Sequence, residues 1–313
     1  LLRGEAEVVE PDVDVRRLVP ARDDALPLYV QAAGARIGKR GDELVVEERD
    51  GTKHEVRLGA TSQVAVFGGV QVTTQAIHTL CERGIPLAYF STGGWFYGIT
   101  RGMDHKHVEL RRLQYRVADN PVRSLALARR VVAAKIRNCR TLLRRNAAHP
   151  VDDVLDRLKQ LADAVDDVAV ADSLLGVEGT AARLYFEGYG RLIKESGSGP
   201  SGTMGFDFNG RNRRPPKDPV NALLSLAYAL LTKDVMLAAF TVGFDPYLGF
   251  YHRPRYGRPA LALDVMEEFR PLIADSVVLS AINTGTVQPG HFVRRGAAVA
   301  LTDAGRTRCL RAY

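Results

Sequence analysis

Short runs of alternating apolar and polar residues dominate the chain between Leu26 and Arg101. Leu28-Tyr29-Val30, Ala35-Arg36-Ile37, Leu44-Val45-Val46 and Val56-Arg57-Leu58 have strand character, as do Val64 to Phe67, Leu87 to Phe90 and Trp95-Phe96-Tyr97. Their β-branched and aromatic side chains suit a pleated, half-buried surface, and Asp50-Gly51 between two of the runs is a hairpin turn signal. Within this region Thr73 to Arg83 has helical spacing. From His107 the period becomes helical almost to the end, with loops expected at 196–214 and 252–259. The architecture this predicts is α+β. Residues 1–26, acid-rich and aperiodic, read as a linker or junction. A β-rich domain is expected over 27–104 and a larger α-helical domain over 105–313, with the hinge near Gly102–His107. The most apolar stretch, Val220 to Phe244, is broken by Asn221, Lys233 and Asp234 and predicts a buried helix pair rather than a membrane span.

Composition narrows the class. With 313 residues, 46% hydrophobic and 25% charged, the chain has enough apolar side chains for a real core. That excludes a wholly disordered chain and a disulfide-stapled miniprotein. Cys81, Cys139 and Cys309 are far apart and form no CxxC pair, and no secretory leader pattern opens the sequence. A reducing, cytoplasmic setting is the expectation. Lysine and arginine outnumber the acids 43 to 36, and the excess is local. Between Pro121 and Pro150 lie Arg123, Arg129, Arg130, Lys135, Arg137, Arg140, Arg144 and Arg145 without a single acid, whereas Val151 to Glu187 carries nine acids against three bases. Two readings follow. The basic helix pairs with the acidic segment after it, or its face, with Arg129, Arg137, Arg140 and Arg144 foremost, follows the phosphates of a nucleic acid.

Candidate chemistry has to be separated from decoys. Gly197, Gly199 and Gly202 match GxGxxG by letter but follow a helical run rather than a strand, so they read as a flexible loop. His54-Glu55 lacks the second histidine of a zinc-protease motif, because Leu58 stands in the fifth position. Asp104, His105 and His107 read as an exposed polar turn. Two distant segments stand out more. In Leu174-Leu175-Gly176-Val177-Glu178-Gly179, Glu178 interrupts an apolar helical stretch, where a carboxylate is costly unless paired or metal-bound. Its flanking glycines would let another backbone or a ligand come close. Tyr185, two turns on, would share its face. In the second, His252 closes the run Leu248-Gly249-Phe250-Tyr251, a loop rich in proline and arginine follows, and a helix begins with Leu263, Met266 and Phe269 as its expected core stripe. Asp264 with Glu267 or with Glu268 can share one helix face. Each piece also has a purely structural explanation: a paired buried acid, a core histidine, a solvated helix start.

Together, LLGxEG and LGFxH…LxLDxMEEFRP resemble the signature of the CRISPR-associated integrase of spacer acquisition, the first-numbered family of CRISPR-associated proteins. Arg213 to Tyr228 and Ala134-Lys135-Ile136-Arg137-Asn138 resemble further segments of it, and the likeness runs from about Leu26 to the C-terminus. Ala260 stands where the family often has serine. The resemblance implies a metal-dependent DNA endonuclease and integrase that inserts short duplexes into a repeat array by phosphodiester transesterification. It implies that Glu178, His252 and Glu267 coordinate the catalytic ion, with Asp264 a further acidic position beside them. Two carboxylates and an imidazole favour Mg²⁺ or Mn²⁺. Arg255 and Arg270, which flank these residues, would be phosphate clamps or would pair with Glu267 or Glu268, and Tyr185 would line the DNA site. The family also implies a homodimer formed through the β-rich domain and a small ferredoxin-like partner. The residues before position 27 resemble the junction to a fused RecB-like nuclease. The alternatives are a metal-dependent nuclease on branched DNA in repair and a non-catalytic nucleic-acid-binding scaffold.

Overall fold

The computed structural model describes residues 25–103, 107–147, 151–194, 204–212 and 215–313. The expected linker up to residue 24, the glycines of the GxGxxG match, and Asp104 and His105 lie outside them. The described chain opens with strand β1 (Leu26–Val30) and continues into the antiparallel meander β2 (Arg36–Arg40), β3 (Glu43–Glu47) and β4 (Lys53–Arg57). Its two turns pass through Gly41 and Gly51 at φ 57° and 86°, a left-handed backbone that glycine adopts without steric cost. Asp50 accepts the amide of Thr52 at 2.9 Å and closes the second turn as the Asp-Gly signal predicts.

Strands β5 (Thr61–Phe67) and β6 (Gln71–Val72), helix α1 (Thr74–Glu82), and strands β7 (Leu87–Phe90) and β8 (Phe96–Thr100) complete this region. The strands form two four-stranded sheets, ordered β4-β3-β2-β6 and β1-β5-β7-β8. The second sheet is parallel along β1-β5-β7, and its central strands are covered on both sides. Val64, Val66 and Leu87 pack into the β-rich core beneath α1. The alternate residues Ala65, Phe67, Ala88 and Phe90 belong to the core of the helical region. Two covered faces explain why β5 reads as a continuous apolar run rather than a clean alternation. The shared sheet also joins the two halves, so the chain does not divide cleanly at position 104.

The helical region contains α2 (Val108–Ala118), α3 (Pro121–Asn146), α4 (Asp152–Ala164), α5 (Ala171–Gly190), α6 (Pro219–Val242) and α7 (Ala260–Phe269). A π-helical segment (Arg270–Asp275) leads into α8 (Ser276–Asn283), followed by the hairpin β9 (Phe292–Arg295) and β10 (Ala298–Leu301) and by α9 (Asp303–Ala312). The ends of the long helices are written locally. Asn120 and Asp218 cap α3 and α6 by accepting the amides of Arg123 and Asn221, with a proline as first residue of each helix. Gly243, at φ 103°, ends α6.

Three expectations need correction. The stretch 220–244 holds one long helix that ends at Val242, not a pair. Its polar interruptions do not break it because each has a partner: Asn221 holds the Gly210 carbonyl and Asp218, while the fully buried Lys233 bonds Gln63 at 2.6 Å and Asp234 at 2.5 Å. α6 is long and apolar enough to cross a membrane by length and composition, but its buried positions form the centre of the helical core. The helical period does not run almost to the end, since β9 and β10 intervene. Finally, of the expected stripe Met266 is buried and Leu263 half-buried, but Phe269 is exposed, and α7 buries Leu261, Asp264 and Glu267 as well.

Candidate metal centre

The face that α7 buries is the one carrying its acids. Asp264 and Glu267 are each 2% exposed, whereas Glu268 lies on a half-exposed side and offers its backbone carbonyl to Asn138 of α3 at 2.9 Å. Spacing alone leaves the two neighbouring glutamates equivalent; the packing of α7 against α3 separates them. Burial is tolerated because both acids have partners of opposite charge or hydrogen-bond donors. Asp264 accepts the backbone amides of Phe250, Tyr251 and His252 at 2.6, 2.9 and 2.8 Å, and its Oδ1 lies 2.7 Å from His252 Nδ1. One carboxylate thus holds the entire 250–252 loop and fixes the imidazole, in the way an outer carboxylate orients a ligating histidine. Gly249 permits this approach. A Cβ there would stand 2.5 Å from Asp264 Oδ2 and 2.8 Å from the Ala260 carbonyl carbon.

With Nδ1 committed, His252 turns Nε2 toward Glu267, 3.9 Å from its Oε1. Glu178, on α5, faces the same point. Its Oε2 accepts the Tyr251 hydroxyl at 3.0 Å, and its Oε1 bonds Lys135 Nζ, from α3. The same ammonium lies 2.6 Å from Glu267 Oε2. Arg270 Nη1, one turn beyond Glu267, contacts its Oε1 at 2.9 Å and stacks over the Tyr228 ring, 5.0 Å from the centroid. Four elements, α3, α5, the loop after α6 and α7, therefore bring two carboxylates, one imidazole and one ammonium together.

Electrostatics decides the charge states. Burial by itself pushes the Glu267 carboxyl up, but the Arg270 guanidinium and the Lys135 ammonium outweigh it and hold the group at about 2. Lys135 is raised for the complementary reason: burial lowers it, and Glu267 and Glu178 more than compensate. Tyr251 is pushed up by burial and by the neighbouring Glu178, so its hydroxyl remains a donor.

No group of three or more His, Cys, Asp or Glu side chains among the described residues is arranged to hold an ion as it stands, and the ammonium of Lys135 bridges the two carboxylates. The donor set nevertheless fits a divalent ion. Glu178 and Glu267 already share one cation, and the buried Oε2 of Glu267 has the ammonium close by but no aligned hydrogen-bond donor. The ring nitrogen of His252 that is free of Asp264 faces the same carboxylate. Two hard oxygen donors and one imidazole suit Mg²⁺ or Mn²⁺.

Several sequence-predicted residues fall elsewhere. Tyr185 is 2% exposed and donates to buried Asp275 at 2.7 Å. It is a core residue, not a DNA contact, because the helix turns it into the aromatic cluster with Phe186 and Tyr189. Arg270 is not available as a phosphate clamp, since its side chain is 16% exposed and engaged by Glu267 and Tyr228. Asp264, with both oxygens taken by the 250–252 backbone and His252, is a positioning residue. A Cβ at Gly176 or Gly179 would meet nothing within 4 Å, so no neighbouring backbone requires those glycines. Arg255 stands exposed on the loop before α7.

The basic helix α3 is split three ways. Arg129 and Arg140 reach the following segment as the pairing reading expects, but they bond the backbone carbonyls of Val168 and Leu155 at 2.8 and 3.0 Å rather than acids. Lys135 enters the candidate centre. Arg123, Arg130, Arg137, Arg144 and Arg145 remain exposed. The role of Lys135 has no local sequence signal, since composition presents it as one base among eight.

Known proteins resemble the chain along most of its length. The family model described as CRISPR associated protein Cas1 matches residues 28–313. The chain is 50% identical over 96% of its length to the CRISPR-associated exonuclease Cas4/endonuclease Cas1 fusion of Geobacter sulfurreducens, of which it covers 54%. It is 40% identical over 85% of its length to the CRISPR-associated endonuclease Cas1 3 of Thermus thermophilus, covering 76% of that protein. Among solved structures, a chain of a Cas6-RT-Cas1--Cas2 complex matches 92% of this one with a TM-score of 0.76 and 27% identity, the match covering 32% of that chain. The chain thus spans about half the length of the fused relatives it matches.

Proposed function

The chain belongs to the family of CRISPR associated protein Cas1, and from that premise we propose that it is a metal-dependent DNA endonuclease and integrase that inserts short duplexes into a CRISPR repeat array by phosphodiester strand transfer. The observation that carries the reading is the convergence of Glu178, His252 Nε2 and Glu267 from three separate elements on one buried, charge-balanced point. These three would hold a divalent ion, Mg²⁺ or Mn²⁺. When bound, such an ion supplies polarisation of the phosphodiester and a lowered pKa for the attacking hydroxyl.

The protein's own residues do the rest. Asp264 holds the 250–252 backbone and the His252 ring, so the imidazole presents Nε2 without a conformational search. Tyr251 fixes one oxygen of Glu178. Arg270 keeps Glu267 ionised inside the protein. The exposed arginines of α3, together with Arg255, supply a sequence-independent attraction for phosphates.

The partners belong to the same proposal. The protein forms a homodimer through its β-rich region, 27–104, while 105–313 carries the chemistry. It works in the cytoplasm with a small ferredoxin-like partner, a reading supported by the solved complex whose name joins Cas1 and Cas2. The half-length match to Cas4/Cas1 fusions supports a RecB-like nuclease joined upstream. Strand transfer into a matched repeat substrate, with the partner subunit and Mn²⁺, tests the reading. Alanine at Glu178, His252 or Glu267 should lower it by at least a hundredfold while DNA affinity changes severalfold at most, and alanine at Glu268 should leave it near wild type. Full activity in the Glu178 and His252 variants would overturn the site. Cleavage of branched DNA without integration would instead point to repair, and binding with neither reaction to a scaffold.

A further inference from the structure

Lys135 is the residue of this cluster that the chemistry above leaves without a role. It lies on a helix whose other bases are exposed or pinned to backbone carbonyls, yet its side chain is only 10% exposed, directed inward between two acids from other elements. Its Nζ bonds Glu178 Oε1 and lies 2.6 Å from Glu267 Oε2. Two carboxylates brought this close inside a protein repel each other, and Glu267 is buried and Glu178 largely so, at 2% and 18% side-chain exposure. An ammonium between them neutralises that repulsion. The oxygens it holds are also the oxygens an ion would need.

We propose that Lys135 is an internal counter-cation that competes with the catalytic metal for Glu178 and Glu267. It keeps the two carboxylates compatible with folding when no ion is bound, and it weakens metal affinity because the incoming ion must displace a like charge. The inference rests on the reading of Glu178 and Glu267 as ion ligands and adds to it a residue that sets how tightly the ion is held. Arg270 does not duplicate this function, because it contacts Glu267 Oε1 and leaves Glu178 unpaired. Two consequences of opposite sign follow. Removing the ammonium should tighten metal binding, and it should also destabilise the metal-free protein by leaving Glu178 without a cation and Glu267 with Arg270 alone.

The test uses Lys135→Met, which keeps the length of the side chain without its charge, and Lys135→Gln, which also keeps a hydrogen-bond donor toward Glu178. Mn²⁺ affinity is read by calorimetry and by the paramagnetic resonance signal of free Mn²⁺, with no DNA present. Melting temperatures are recorded in chelator and in saturating Mn²⁺. Both variants should bind Mn²⁺ at least tenfold more tightly than the native protein. Their melting temperatures should fall in chelator and recover most of the loss in Mn²⁺. If Lys135→Met proves too unstable to isolate in chelator, Lys135→Gln purified in Mn²⁺ carries the affinity measurement by competition with a chelator of known strength. Glu267→Gln separates the two levels of the argument. If it abolishes Mn²⁺ binding while the Lys135 variants bind no tighter than native, the competitor role falls and the metal site stands. If Glu267→Gln binds Mn²⁺ as well as native, the metal site falls, and the inference with it.

Discussion

Asparagine at Asp275 should abolish a specific loss of stability between about pH 4 and pH 6. Asp275 ends the π-helical segment and is 1% exposed. Its Oδ1 accepts the Tyr228 hydroxyl at 2.6 Å and its Oδ2 the Tyr185 hydroxyl at 2.7 Å, while its backbone carbonyl accepts Tyr189 at 2.9 Å. Burial raises the carboxyl, and the two hydroxyls with Arg270 and Lys135 pull it back only in part, leaving it at about 6. In the unfolded chain the same group titrates near ~3.9. Below the unfolded value both states carry the proton and the favourable contribution is complete. As pH rises toward about 6, the folded state retains a proton the unfolded state has lost, so stability falls. About two pH units at roughly 1.4 kcal/mol each give a loss of about 3 kcal/mol. Asparagine keeps the shape and one acceptor but does not titrate. Urea unfolding of native protein and Asp275→Asn from pH 4 to pH 7 measures it: the stability difference, native minus variant, should fall by about 3 kcal/mol across that window. A difference that stays flat with pH, or that rises, would refute the assignment of Asp275 as the titrating group.

Two further outcomes bear on the proposed function. If the exposed arginines of α3 track phosphates, replacing Arg130, Arg137, Arg144 and Arg145 with glutamine should flatten the logarithmic salt dependence of DNA binding by up to about 3.6, at roughly 0.9 per contact. Glutamine at Arg129 and Arg140, which bond the Val168 and Leu155 carbonyls, should instead lower the melting temperature and leave the slope nearly unchanged; an unaltered slope in the first set would return the whole helix to a structural role. Light scattering at micromolar concentration should give a dimer, and a strict monomer there would remove the proposed pairing through the β-rich region.

Most of the β-rich half was legible because its signals are local. Asp50-Gly51, the short β-branched runs and the helical spacing after Thr73 each specify a piece of backbone within a few residues. The hairpin at Phe292–Leu301 was missed for the opposite reason. Its strands are four residues each, the first ending in Arg294-Arg295 with only Gly296-Ala297 before the second, and the pairing of Val299 amide with the Pro216 carbonyl comes from more than eighty positions away. The single long α6 was misread as two helices because Lys233 and Asp234 look like a break in sequence. Contacts with Gln63 and Tyr313, far away in the chain, turn both into core-compatible residues.

The candidate centre divides along the same line. Its donors sit in compact motifs: Glu178 in an apolar helix, His252 at the end of an apolar run, and two acids one helical turn apart. What neutralises and orients them is dispersed. Lys135 is concealed by the seven bases around it, and Arg270 looks like a surface arginine although it stacks over Tyr228 and pairs with Glu267 three residues before it. Pro271 follows it directly and cannot donate the amide bond a regular α-helix would need, so the wider turn begins where Arg270 must reach inward. The three-residue spacing sets Arg270 beside Glu267 on one helix face, so Glu267 keeps one cation when a metal entering the site displaces Lys135.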